Sequence, residues 1–270
     1  MEGRATPSRA VASGLIEELT EEKVAGDMGY WVIKAILKPI LLTIYRIRVE
    51  GRENIPRNGA AIIAANHLSF LDSFFIPLVV NRRKLTYLAK ADYFTSWKTA
   101  WFFKMCGQIP VDRDDKEKSQ QALSTGLKVL RSGNLLGIYP EGTRSPDGKL
   151  YRGRTGAARL ALAARVPVVP CGLVGTDEVM PKAAKLPRFT GRVRVTVRFG
   201  KPIDFSRYGG REQDRFVLRS ATDEIMYEIM ELSGQSYVDG YASRTATEPL
   251  PESARSMEEL LDLSEDLLVS

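Results

Sequence analysis

His67 is the only histidine in 270 residues, and it stands five positions ahead of Asp72 in the stretch Asn66-His67-Leu68-Ser69-Phe70-Leu71-Asp72. A carboxylate on one imidazole nitrogen holds the ring in one tautomer and stabilises its protonated form, so the other nitrogen can take a proton from a hydroxyl. On a helix, residues five apart diverge by about 140°, so this pair can meet only if His67 lies in a loop or at the very start of a helix. No serine nucleophile is needed if the substrate brings its own hydroxyl. A structural histidine satisfied by a turn carboxylate fits the same spacing, and the spacing alone does not separate the two.

A second polar group, Tyr139-Pro140-Glu141-Gly142-Thr143-Arg144-Ser145, follows an apolar run. Peptide N–H groups in a Gly142-Thr143 turn can receive an oxyanion, and the planar fork of Arg144 suits a phosphate. A surface turn closed by a Glu141–Arg144 ion pair is the plainer alternative. Arg113, in Pro110-Val111-Asp112-Arg113-Asp114, either meets an anion or pairs with a neighbouring aspartate. Arg152 and Arg154 follow shortly after and suit either a phosphate or a solvated basic loop.

Positioning these residues requires elements that bring them to one edge. Arg46 to Glu50 alternates as a strand does, Ala60 to Asn66 reads as a buried strand, and a helix is expected from about Asp72 with Pro77 as a possible kink. Strands are expected in "KLTYLAK", "GQIPVDR", "LLGIYP", "PVVPCGLVG" and "RVRVTVRFG", and helices at Lys116 to Arg131, Thr155 to Arg165 and about Arg211 to Leu232. Strands and helices taking turns indicate an α/β fold with a mixed, largely parallel sheet covered by helices. In such sheets ligands settle beyond the carboxyl ends of the strands, which is where His67, Arg113 and Glu141 to Arg144 fall.

The formal charge of +6 is uneven: residues 241–270 hold seven acids and two bases, a net of −5, which leaves +11 on the rest. A basic body suits nucleic acid, an anionic membrane or phosphorylated substrates. Cys106 and Cys171 lack the spacing of a disulfide framework or zinc site, and no carboxylate cluster accompanies the single histidine, so neither disulfide nor metal is expected. Without a P-loop or a Gly-x-Gly-x-x-Gly pattern, a nucleotide cofactor finds no support either.

Residues 1–27 form an N-terminal arm without the apolar core of a signal peptide. Residues 28–44 read as an amphipathic membrane-interface helix, too interrupted by Lys34, Lys38 and Pro39 to span a bilayer. Lys34 and Lys38 share one face, and Trp31, Ile33, Ile36, Leu37, Ile40, Leu41 and Ile44 cover most of the rest. An ordinary helix packed on its own domain is the competing reading. Residues 45–232 form the main domain, and residues 233–270 read as a linker and acidic tail. "DYFTSWKTAWFFK" mixes aromatics with lysines and suits an interface wedge or, more plainly, core packing.

The four blocks "NHLSFLD", "GQIPVDR", "YPEGTRS" and "VPVVPCG", in this order from Asn66 to Gly172, resemble those of the glycerolipid acyltransferase family, which includes the 1-acylglycerol-3-phosphate acyltransferases. "VTVRFGKPIDFS" resembles a later strand of the same family, so about residues 45 to 232 are covered. Tyr139 stands where phenylalanine is commoner, Pro110-Val111 where an aromatic pair is usual, and Cys171 at an aliphatic position.

The resemblance implies a glycerol-3-phosphate acyltransferase-like fold, His67 as general base and Asp72 as its orienter. Arg113, Glu141 and Arg144 would hold the glycerol-phosphate part of the acceptor, with Gly142, Thr143 and Arg152 beside them. It further implies acyl transfer from acyl-CoA or acyl carrier protein to a free hydroxyl, the sn-2 by family expectation, of 1-acylglycerol 3-phosphate in phospholipid biosynthesis. No cofactor or covalent acyl-enzyme is expected, and the expected place is the cytoplasmic face of a membrane, peripheral or monotopic. Glycerol 3-phosphate, or another lysolipid or glycolipid, is the alternative acceptor. A non-catalytic membrane-binding protein on the same fold is the alternative outside enzymology, and no RNA-binding signature favours nucleic acid.

Overall fold

Ala61 to Ala65 is apolar at every position, as a strand covered on both faces must be, and all five residues are buried. A computed structural model describes residues 28–80, 82–90, 108–111, 116–181, 184, 186–189 and 193–242. Helix α1 (28–44) leads into β1 (Arg46–Glu50), β2 (Ala61–Ala65), α2 (Asp72–Val79), β3 (Leu85–Lys90), β4 (Gln108–Val111) and α3 (Lys116–Arg131). Next come β5 (Leu135–Ile138), β6 (Leu150–Tyr151), α4 (Gly156–Ala164), β7 (Val168–Val174), α5 (Thr176–Val179), β8 (Arg194–Phe199), α6 (Arg215–Ser233) and β9 (Tyr237–Val238).

Seven strands form one sheet in the order β1-β8-β7-β2-β5-β3-β4, and every pairing is parallel except β7 with β8. The expected α/β fold with a mixed, largely parallel sheet is therefore the one observed. Side chains of a strand alternate between its faces. Ala61, Ile63 and Ala65 accordingly join Phe75, Ile76, Tyr87 and Cys171 on one face. Ile62 and Ala64 join Leu160, Leu218 and Ile225 of α4 and α6 on the other. The carboxyl ends of β7, β2, β5, β3 and β4 share one edge of the sheet.

Two boundaries differ from expectation. Helix α6 begins at Arg215 rather than near Arg211, because the Asp214 carboxylate caps it by accepting from the N–H groups of Phe216 and Val217. A linker is expected from Ser233, yet β9 pairs in parallel with β6, and Arg152 N–H donates to Gly240 O at 2.9 Å. Residues 235–242 thus form a strap across the loop that follows β5. The N-terminal arm, the aromatic stretch 92–104 and the acidic tail beyond 242 lie outside the described residues.

Helix α1 is oriented in a way its sequence does not announce. Its lysine face turns inward: Lys34 is buried, its ammonium donates to Val80 O, and it lies 5.6 and 5.1 Å from the ring centres of Tyr30 and Trp31. Burial, with Lys38 and Arg52 nearby, lowers the Lys34 pKa to about 8. The outer face is apolar, with Met28, Trp31, Val32, Ile36, Ile40 and Leu42 all exposed. Among the described residues no helix is long and apolar enough to cross a membrane.

Candidate active site

The register of the central strands dictates which loops meet. Ala64 of β2 faces Ile138 of β5, so three residues further along each chain His67 comes beside Glu141. The contact is made through the backbone: His67 N–H donates to Glu141 Oε1 at 3.2 Å, and Ser145 N–H donates to His67 O at 2.7 Å. Asn66 closes the end of β2 toward β7. Its side-chain oxygen accepts from Leu173 N–H at 2.7 Å, and its amide nitrogen donates to Leu173 O at 2.9 Å and to Gln235 Oε1 at 2.7 Å. An amide side chain replaces the next ladder step, so the main chain is free to turn away at His67.

His67 lies in the loop before α2, as the spacing requires. Its Nδ1 is 2.9 Å from Asp72 Oδ2, and the same oxygen accepts from Leu68 N–H and Ser69 N–H, each at 2.8 Å. Asp72 opens α2, where the helix dipole favours a carboxylate. Its side chain is fully buried, while that of His67 retains 17% of its exposure. The imidazole is thus fixed through Nδ1 by a carboxylate that solvent does not reach, and Nε2 remains for a hydroxyl.

A feature absent from the sequence reading is the aromatic stack behind His67. Tyr87 of β3, Gly137 of β5 and Tyr139 share the sheet face of Ala65, and His67 follows the same alternation. The His67 ring stacks on Tyr139 with centres 3.9 Å apart and planes 9° apart, and Tyr139 stacks on Tyr87 at 5.3 Å. Gly137 makes the room, since a Cβ there would meet the Tyr87 ring at 2.4 Å. The Tyr139 hydroxyl lies 3.1 Å from Ser73 Oγ. Burial first, with the Asp72 charge adding to it, raises both phenols well above their ordinary range, in Tyr139 against the hydrogen bonds that Ser73 and Tyr87 make to it, so they stay neutral. Alternation along each strand fixes which face these residues take, but only the pairing of β5 with β2 and β3 brings the rings together.

The other expected site residues divide. Glu141 is buried and holds the loops together, taking His67 N–H on one oxygen and Tyr151 N–H on the other at 2.9 Å. It therefore faces the protein rather than an acceptor. Gly142 adopts φ +78°, and its N–H closes the turn on Tyr139 O at 3.0 Å, which removes it as an oxyanion donor. Thr143 and Arg144 follow on this turn, both half-buried. Arg154, whose side chain lies along Gly142, reaches this loop more closely than Arg152, which pairs with Asp239 of the strap at 3.3 Å. Arg113 lies outside the described residues. Cys171 is fully buried, and burial pushes its thiol far above its ordinary range, as an apolar strand requires. A cavity of about 470 Å³ opens beside the turn, walled by Tyr139, Gly142, Arg154, Leu123 and Leu160 among others.

Burial raises the Glu141 carboxyl to about 7, against the two N–H groups that pull it down. The folded chain then keeps this proton over a range of pH in which the unfolded chain, with an ordinary value of 4.5, has released it. Fewer protons on the unfolded state mean that stability falls as pH rises from about 4.5 to about 7, by about 3 kcal/mol for this group, and then levels. Glu141→Gln is expected to flatten that part of the profile. Urea midpoints of both proteins near pH 5 and pH 7.5 test it, and equal slopes would refute the assignment.

With this geometry in view, comparison with known proteins points to one family. The family model described as Acyltransferase matches residues 46–174. Those residues, just under half of the chain, are therefore similar to an acyltransferase domain. The chain is 34% identical, over 60% of its length, to the chloroplastic 1-acyl-sn-glycerol-3-phosphate acyltransferase LPAT1 of Arabidopsis thaliana, of which it covers 45%. It thus spans about half the length of that plant relative. It is 28% identical over 74% of its length to the 1-acyl-sn-glycerol-3-phosphate acyltransferase of Bacillus subtilis, of which it covers 94%. The crystal structure of the 1-acyl-sn-glycerophosphate acyltransferase PlsC from Thermotoga maritima superposes with a TM-score of 0.53 at 25% identity, over 72% of this chain and 75% of that one. The matched residues run from β1 to the end of β7 and so contain His67, Asp72 and the whole turn after β5.

Proposed function

We propose that this protein is an O-acyltransferase that moves a fatty acyl group from an acyl thioester, acyl-CoA or acyl carrier protein, to a free hydroxyl of 1-acylglycerol 3-phosphate. The observation that carries the reading is the buried Asp72 carboxylate 2.9 Å from Nδ1 of a His67 ring that solvent still reaches. His67 Nε2 takes the proton of the acceptor hydroxyl as its oxygen attacks the thioester carbonyl. Asp72 stabilises the imidazolium that forms, and the imidazolium returns the proton to the thiolate as the tetrahedral intermediate collapses. Thr143 N–H, the next group on the turn after Gly142, is the backbone donor assigned to the oxyanion. Arg144 and Arg113 are assigned to the acceptor phosphate, with Arg154 rather than Arg152 in support. The cavity beside Tyr139 and Gly142 is of a size that takes a lipid-like ligand.

The acceptor is tested by presenting lysophosphatidic acid and glycerol 3-phosphate separately with oleoyl-CoA and following CoA release and product mass. Phosphatidic acid from lysophosphatidic acid, with little turnover of glycerol 3-phosphate, is the expected result. Turnover of glycerol 3-phosphate alone would move the assignment to the other acceptor.

We also assign α1 to a membrane surface, where both the lysolipid and the product reside. An outward face of Met28, Val32, Ile36 and Ile40, spaced at helical turns and backed by an inward Lys34, matches a helix lying in the interface plane.

A further inference from the structure

The segment from Pro181 to Arg194 contains Lys182, Lys185, Arg188, Arg192 and Arg194 and no acid. Within it Leu186 and Phe189 are 76% and 67% exposed, although nothing in their chemistry favours water. The neck of this loop is firmly built. Arg188 N–H donates to Val179 O at 2.7 Å, and Ala184 N–H turns back to Pro181 O at 2.9 Å.

Two further bonds tie the neck to the parts of the molecule that concern lipid. Ser69 Oγ, two residues after His67, donates to Met180 O at 2.9 Å. The phenol of Tyr45, immediately after α1, donates to Arg188 O at 2.9 Å. Next to Tyr45, Arg46 of β1 and Arg194 of β8 are register partners on adjacent parallel strands, and both are exposed. Residues 186–189 and the neck at Val179 and Met180 therefore stand between the catalytic turn and the end of the apolar helix, with the exposed Arg46, Arg188 and Arg194 around them.

We propose that this loop is a second membrane-contacting element, which seats Leu186 and Phe189 among the acyl chains of an anionic bilayer and sets Arg188, Arg46 and Arg194 on its headgroup phosphates. The inference rests on the assignment of α1 to a membrane surface and extends that contact to the mouth of the site. Cations beside exposed apolar side chains match the layered chemistry of a lipid interface. An acidic protein would use the cations and leave Leu186 and Phe189 without a partner. Continuity with α1 through Tyr45 favours one shared surface, and the bond from Ser69 places the catalytic turn next to the lipid from which an acceptor would come.

The test uses the full chain and vesicles of phosphatidylcholine with and without phosphatidylglycerol, read by co-sedimentation. Leu186→Ser with Phe189→Ser is expected to weaken binding to the mixed vesicles by at least about tenfold, since two side chains lose their transfer into lipid. Arg188→Glu is expected to abolish most of the gain that phosphatidylglycerol confers. Both proteins should melt at the parent's temperature, because the neck is made by backbone groups. Val32→Ser with Ile36→Ser is the companion on α1. Loss of binding in that companion, with parental binding by the Leu186, Phe189 pair, would overturn the loop and leave the helix standing. A parent that binds neither vesicle would overturn both. Lipid-free self-association that disappears in the Leu186, Phe189 variant, with vesicle binding intact, would assign the loop to a second copy and refute the proposal.

Discussion

Replacing His67 by alanine is expected to lower acyl transfer by a factor on the order of 10²–10⁴ while leaving the fold intact. The expectation follows from where the ring sits. It is partly exposed at the carboxyl end of β2, and its loop is held by groups that alanine retains: His67 N–H on Glu141, His67 O on Ser145, and the two N–H groups of Leu68 and Ser69 on Asp72. What is lost is one ion-pair partner and the stacking on Tyr139. Stacking of this kind contributes about 1 kcal/mol, small beside a proton-transfer step removed from a transition state. Release of CoA and product mass, measured beside the thermal midpoint, separate the two. A folded variant with the parent's rate would show that the base lies elsewhere, and an unfolded one would show that the histidine is structural.

Asp72→Asn carries the second large effect. Asparagine keeps the shape and can still present an oxygen to Leu68 N–H and Ser69 N–H, but it brings no charge to stabilise the imidazolium and holds the neutral ring less firmly in its working tautomer. The rate is expected to fall by a factor on the order of 10²–10⁴, with a stability loss of about 1–3 kcal/mol from a new amide donor where Oδ1 now has no partner. Asp72→Ala should be as slow and less stable, because three donors then lose their acceptor together. The informative comparison is therefore rate against melting temperature in the two variants. Near-normal turnover by a stable Asn variant would show that the carboxylate builds the loop and does not act through the ring.

Much of this was legible in the chain because it is local. Apolar alternation and turn residues locate β2, β5 and β7, and helix periodicity locates α3 from Lys116 to Arg131. The five-residue step from His67 to Asp72 demands a loop histidine, and one is present. The four blocks are a linear signal, so the resemblance they carry reached the same family that residues 46–174 match.

Other features depend on which strands become neighbours, and no local pattern states that. Glu141 reads in sequence as a charged group fit for a ligand; the β2–β5 register instead buries it between two backbone N–H groups. Gly142 reads as an oxyanion donor, but the turn geometry spends its N–H on Tyr139. Arg152 stands close to the third block along the chain, while β9 draws it toward Asp239.

The sequence by itself determined the residue types capable of proton transfer, the order of strands and helices, and the edge of the sheet on which the polar blocks fall, since each follows from spacing along one chain. Tertiary structure alone decided that Tyr87 and Tyr139 stack behind His67, that Gln235 secures Asn66, and that the lysine face of α1 turns inward. These contacts join residues that are distant in sequence. They exist because the sheet order and the burial of apolar area select one arrangement among many that the same periodicities permit.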